Sequence, residues 1–171
     1  MTKELQEAMQ MYGEYCMRVA YLYVKDWTAA EEVVPDVFLA YYRQKDCFRQ
    51  ASSLKTYLVK ITVHKSHDYL RSWRAKKRQL IAPFQMKTKE QSIEQQAIKQ
   101  DERRILVDAL LKLPMKYREV LILHYYDDYR LREIADILGV SENTVKTRVS
   151  RGREKLKDLL QQEQWEVLLH D

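Results

Sequence analysis

A chain of 171 residues with only three Gly and three Pro predicts one ordinary domain or two small ones built almost wholly of helices. No apolar run approaches the ~20 residues that cross a bilayer, and MTKELQEAMQ has no signal-peptide character. Cys16 and Cys47 form neither a disulfide framework nor a zinc motif, which excludes a disulfide scaffold and points to reduced thiols in a cytoplasmic protein.

The net charge of +5 is unevenly laid out: residues 1–42 carry −4, residues 43–89 carry +11, residues 90–98 carry −2 and residues 99–171 carry zero. Thirteen bases against Asp46 and Asp68 in the second segment exceed an ordinary solvated face and suggest contact with phosphate.

The first helix is predicted from about Lys3 to Asp26, with Leu5, Met9, Tyr12, Cys16, Val19 and Tyr23 on one apolar stripe. Thr28 is expected to open the second helix, with Glu31 as its capping-box partner. The stripe there is Ala30, Val33, Val34, Val37, Phe38 and Tyr41; Pro35 lies inside it, where it removes a hydrogen bond and is expected to kink the helix at a cost of ~3 kcal/mol. Ser52 or Ser53 caps a third helix through Leu54, Leu58 and Ile61 to about Arg78. Three facing stripes make one small bundle, residues 1–78.

Residues 79–96 lose the periodicity, contain Pro83 and read as a linker. A second unit, residues 97–171, follows: a helix over Arg103–Lys112, a break at Leu113-Pro114, a helix over Tyr117–Tyr126, and then LREIADILGVSENTVKTRVSRGREKLK. That last stretch reads as helix, turn, helix. Ile134, Ala135 and Leu138 are the stripe of its first helix, Gly139 takes the left-handed conformation that ends it, and Ser141 caps the next. Val145, Val149 and Leu156 face inward, leaving Lys146, Thr147, Ser150 and Arg151 to point out, as in a helix lying in a major groove. The tail 162–170 is a candidate continuation of the last helix, with Trp165, Leu168 and Leu169 on one side.

The third helix mixes Tyr57, Tyr69 and Trp73 with Lys60, Lys65, Arg71, Arg74, Lys76, Lys77 and Arg78. Rings that stack on bases beside cations that follow a backbone suit single-stranded nucleic acid. A duplex reader at one end and a single-strand holder at the other describe a protein that recognises DNA and opens it. Two other classes compete. Glu31, Glu32 and Asp36, or His64, His67 and Asp68 at i, i+3, i+4, could be metal ligands of an enzyme, but such spacing is more often surface chemistry. With no P-loop, dinucleotide fingerprint or nucleophile elbow, the expectation is no enzyme, no cofactor and no metal. A dimeric helix-turn-helix regulator would explain the last segment but leaves residues 43–89 without a role, and it predicts palindromic sites.

Three segments resemble bacterial sigma factors of the sigma-70 family, in the extracytoplasmic-function group that keeps only domains 2 and 4. AAEEVVPDVFLAYY is similar to the family's Ala-Glu-Asp-x-Val-Gln-Glu-Val-Phe segment, and LKTYLVKITVHKSHDYLR to its Trp-Leu-x-x-Ile-x-x-Asn-x-x-x-Asp-x-x-Arg segment. LPMKYREVLILHYYDDYRLREIADILGVSENTVKTRVSRGREKLK resembles domain 4 nearly position by position, including Leu113-Pro114, Arg118, Glu133, Ile134, Ala135 and Thr144-Val145-Lys146. The resemblance implies an all-α protein of two small domains. Glu31, Glu32, Asp36 and Phe38 would bind the β′ clamp helices of core RNA polymerase, and domain 4 the β flap. Lys60, His64, Lys65, Arg71, Trp73 and Arg74 would hold the melted −10 element. Thr144, Lys146, Thr147, Ser150 and Arg151 would read the −35 element, while Arg148 and Arg153 touch its backbone. An anti-sigma factor, often membrane-anchored, is the expected regulator. Pro35 replaces the family's usual Gln, Tyr57 its Trp and His64 its Asn; an imidazole offers different donors and acceptors from an amide.

Overall fold

A corner between two helices sets the first unit. Lys25 adopts the left-handed conformation (φ 63°) and ends α1 (Lys3–Val24), its N–H donating to the Tyr21 carbonyl. Asp26 then caps α2 (Trp27–Gln44), accepting the Ala29 N–H at 2.7 Å. The expected cap at Thr28 is corrected by this: Thr28 lies inside the helix, because the carboxylate placed directly after the left-handed corner already satisfies the free N–H. The Tyr21 and Trp27 rings stack across the corner, centroids 4.1 Å apart. The computed structural model describes residues 2–47, 52–79 and 99–160.

α2 continues through Pro35, which is exposed, so its ring lies on the water-facing side of the helix. A short 3₁₀ turn, Lys45–Cys47, follows. Ser53 caps α3 (Leu54–Gln79), accepting the Thr56 N–H at 3.2 Å. The three helices pack each on the other two. Their core holds Cys16, Val19 and Tyr23 from α1, Ala30, Val37 and Phe38 from α2, and Leu58, Val59 and Val63 from α3. Met9 is exposed rather than packed; Ala8 takes the buried place near that end of α1. Thr62 enters the core by donating to the Leu58 carbonyl at 2.8 Å.

The second unit is described by itself. α4 (Lys99–Lys112) ends at Leu113-Pro114, and α5 (Met115–Leu121) widens into a π-helical turn over Ile122–Tyr126. Arg118, almost wholly buried, donates through Nη1 to the Leu111 and Leu113 carbonyls, both at 3.2 Å. It satisfies the orphan carbonyls at the end of α4 and joins that helix to α5. The turn closes with Tyr129 N–H on the Leu123 carbonyl and Asp128 at φ 57°. α6 (Leu131–Leu138) follows, with the Glu133 carboxylate accepting the Arg130 N–H at 2.8 Å. Gly139 at φ 66° ends it, and Ser141 caps α7 (Glu142–Leu159), accepting the Thr144 N–H at 3.1 Å. The expected positions of Gly139 and Ser141 therefore hold, whereas the helix expected over Tyr117–Tyr126 is α5 plus the π-turn. The division between the two units falls between Lys89 and Glu90. The expected linker beyond residue 79 and the tail 162–170 lie outside the described residues.

Candidate nucleic-acid interface

α7 is built around one close approach. Val145, Val149, Gly152 and Leu156 form its buried stripe, packed against α5 and α6. At Gly152 a Cβ would stand 3.3 Å from Leu121 Cγ and Cδ1 and from Tyr117 Cβ, so the glycine lets the two helices touch nearly backbone to side chain. Outside that stripe, Lys146, Thr147, Ser150, Arg151 and Arg153 are exposed on the same helix. Thr144 is half-buried and its hydroxyl shares a 2.8 Å hydrogen bond with Ser141. Arg148 turns back to the buried Glu119 of α5, 3.8 Å away. The Arg153 guanidinium lies 6.0 Å from the centre of the exposed Tyr125 ring.

On α3, Lys60, His64, Arg71 and Arg74 are exposed, and Lys65 and Trp73 are half-buried. Arg71 pairs with Asp68 one turn away. His67 leans edge-on against the Tyr23 ring, centroids 5.4 Å apart, whereas His64 faces solvent. Among the described residues no group of three or more His, Cys, Asp or Glu comes together as a metal would need. Burial raises the pKa of the Tyr69 hydroxyl, and the carboxylates of Glu32 and Asp26 raise it further, so this ring sits beside the acidic side of α2. Tyr57 packs edge-on against Tyr41 and donates to Gln44 Oε1 at 3.4 Å.

Glu31, Glu32 and Asp36 are exposed on α2, but Phe38 is 2% exposed in the bundle core and supports that face from behind. The exposed apolar side chains of that helix are Leu39 and Tyr42, which the period-3.6 stripe gave no reason to single out. Sequence reasoning also missed Gly152 and Glu119. A glycine in the middle of a basic helix was the available signal for the first; nothing local signals the second. No described helix is long and apolar enough to cross a membrane.

Comparison with known proteins agrees with this arrangement. The family models for Sigma-70 region 2 and Sigma-70, region 4 match residues 8–76 and 103–156. The chain is 30% identical to RNA polymerase sigma factor SigV of Bacillus subtilis over 85% of its own length and 84% of that relative. It is 27% identical to the ECF RNA polymerase sigma factor SigW of the same organism, covering 90% of this chain and 87% of SigW. Against the probable RNA polymerase sigma factor RfaY of Xanthomonas campestris it is 28% identical but spans only 37% of that longer protein. The sigma factor RpoE of Bartonella quintana, solved in complex with the anti-sigma factor NepR, superposes with a TM-score of 0.71 at 22% identity, over 92% of this chain and 97% of RpoE.

Proposed function

This chain belongs to the sigma-70 family of RNA polymerase sigma factors, in its extracytoplasmic-function group, and on that premise we propose how its two helical units divide promoter recognition between them. It is an alternative sigma factor that directs promoter-specific transcription initiation. Residues 1–78 dock on the β′ clamp helices of core polymerase through the exposed acids Glu31, Glu32 and Asp36, with Phe38 holding the helix from inside. On α3, Lys60, His64, Lys65, Arg71, Trp73 and Arg74 take the melted −10 strand: the ring stacks and the cations follow the backbone. Residues 97–171 read the −35 element through Thr144, Lys146, Thr147, Ser150 and Arg151 of α7 and contact the β flap. Residues 79–96 join the two.

The observation that carries this reading is the outward face of α7, polar and rich in cations, fixed over a buried stripe by the Gly152 contact. Neither small unit alone offers much interface, so polymerase supplies affinity by holding both at a set separation. RpoE was solved in complex with the anti-sigma factor NepR, and CnrH in complex with the cytosolic domain of CnrY. The same kind of partner is proposed here: an anti-sigma factor that covers the polymerase-binding face in the cytoplasm.

Run-off transcription with purified core polymerase, with and without the protein, on genomic fragments tests the assignment. New transcripts whose start regions align on two dissimilar elements at fixed spacing are expected. No transcripts, together with binding of the protein to palindromic duplex sites, would overturn it in favour of a dimeric regulator.

A further inference from the structure

The π-turn leaves a large ring uncovered. His124 is fixed with its Nδ1 2.9 Å from the Tyr129 carbonyl oxygen, and the Tyr125 ring meets the imidazole edge-on, centroids 4.8 Å apart, yet Tyr125 is 55% exposed. It walls a cleft of about 480 Å³ whose other sides are Leu131 of α6 and Lys146, Val149, Arg153 and Lys157 of α7. The cleft thus joins apolar side chains to three cations. Among the described residues the one acid lining it is Glu154, which by helical phase lies opposite the buried stripe, at the outer rim. The chain also leaves α7 on this flank. The Leu160 N–H still donates to the Leu156 carbonyl at 3.0 Å, so Leu160 keeps the helical phase and falls within about 60° of Lys146, Arg153 and Lys157 around the axis. It then turns out of the helix in an extended conformation, φ −100° and ψ 144°, with its own side chain only 6% exposed.

Residues 161–171, QQEQWEVLLHD, carry Glu163, Glu166 and Asp171, no Lys or Arg, and the large apolar groups Trp165, Leu168 and Leu169. We propose that this segment docks in the cleft and masks the outward face of α7 in the free protein, with Trp165 against Tyr125 and Arg153 and the acids against the lysines. The reach suffices. A chain spans up to about 3.3 Å per residue when extended and about 1.5 Å when helical, so Trp165 can return about 16 Å from Leu160, whereas Arg153 lies only about 10 Å back along α7. The chemistry matches as well. The Trp165 ring covers exposed apolar surface and offers its face to cations, one of which, the Arg153 guanidinium, already stands 6.0 Å from the centre of the Tyr125 ring. The carboxylates meet cations that would otherwise draw phosphate. Because the segment is joined to its cleft, its effective concentration is about millimolar, and a weak dock is enough to compete. The inference rests on α7 being the duplex reader; it adds that the reader is closed until the segment is displaced.

The test compares the full chain with Trp165→Ala and Tyr125→Ala. Both variants keep the charge, so neither alters the general attraction to phosphate, and unchanged helical circular dichroism verifies the fold. Binding to a short generic duplex, read by fluorescence anisotropy, should tighten about tenfold in each if the cleft is filled about nine-tenths of the time, since the apparent Kd is the intrinsic one divided by the open fraction. The double variant should gain no more than either alone. Without DNA, the Trp165 indole N–H signal in a proton–nitrogen NMR spectrum, identified by its absence from Trp165→Ala, should move in Tyr125→Ala, and it should move the same way when duplex is added to the wild type. Unchanged affinity in either variant overturns the masking, and an indole signal indifferent to Tyr125 overturns the dock. A signal that moves instead in Ile105→Ala, at the exposed apolar residue of α4, places the segment elsewhere and overturns it too. So does an affinity gain that disappears on dilution, which would make the occupant a second copy's segment. If signal and affinity change as expected while the holoenzyme makes no promoter-specific transcript, the sigma-factor reading fails and the masked cleft stands.

Discussion

Arg148 of α7 meets Glu119 of α5 with Nη1 3.8 Å from Oε1, and the Glu119 side chain is 6% exposed while that of Arg148 is 26% exposed. A carboxylate at that depth is tolerated when a cation faces it. The pair therefore belongs to the packing of α5 against α7, and it fixes the roll of the helix whose other side is proposed to meet DNA. The family resemblance places Arg148 on the DNA backbone; the geometry engages it inside the protein first.

Arg148→Ala is accordingly expected to destabilise the second unit by about 1–2 kcal/mol, below the range for a fully buried pair because the arginine is partly screened by water. Urea unfolding of the full chain measures it. A double-mutant cycle with Glu119→Gln should show coupling between the two sites. Strictly additive losses would mean that the ion pair contributes nothing and that Arg148 acts only by its bulk.

Gly152 makes a complementary prediction. Alanine would gain helix propensity of about 0.5–1 kcal/mol but press on Leu121 and Tyr117 at 3.3 Å, so its net effect depends on how far Leu121 can yield. Valine has no such latitude. Gly152→Val should cost about 1–3 kcal/mol through overpacking and should lower duplex affinity by tilting α7. Wild-type thermal stability in this variant would show that the contact is loose.

The helix-turn-helix was legible because its determinants are local: an apolar stripe, Gly139 where φ must be positive, and Ser141 where a free N–H needs a cap. The bundle stripes were legible for the same reason. What escaped were features that depend on a second segment. Thr28 looked like a cap until the left-handed Lys25 handed that role to Asp26. The family segment implied a polymerase contact for Phe38, whereas the apolar stripe of the second helix already pointed it into the core, where it lies. Nothing in the sequence around Glu119 marks it as buried; it packs inside because α7 brings Arg148 to it. Arg118 matched the family without revealing that it binds two carbonyls at the end of α4.

Cys16 gives the first unit a pH signature. Burial raises its thiol pKa, and hydrogen bonds with Thr62 and its own backbone lower it by less. A folded-state pKa above the unfolded one means that the native bundle holds the proton more tightly. That stabilisation is complete below the unfolded thiol value of about 8.5 and is lost as pH rises through the folded value. Tyr69, also raised by burial, acts with the same sign at higher pH. Cys16→Ala should therefore flatten the alkaline decline in stability of the first unit, whatever its cost at neutral pH. Parallel stability–pH curves for the two proteins would show that the thiol is not coupled to folding in this range.

Trp73 and Arg74 separate binding from opening. Trp73 is half-buried and Arg74 exposed near the end of α3, beyond the part of that helix that fills the core. Stacking of a base on an aromatic ring is worth about 1–3 kcal/mol, but only once the base has left the duplex. The stabilisation therefore belongs to the open complex and not to the first encounter. Trp73→Ala with Arg74→Ala should leave closed-complex affinity within about twofold while reducing the extent of opening by roughly tenfold or more, the factor that ~1.4 kcal/mol gives. Permanganate reactivity of −10 thymines, compared with filter binding at low temperature, reads the two steps separately. A pre-melted promoter should rescue much of the opening defect, because the duplex no longer has to be unstacked, while the remaining loss measures the direct grip of Trp73 and Arg74 on the strand. Equal losses in both steps would place these residues in duplex binding instead.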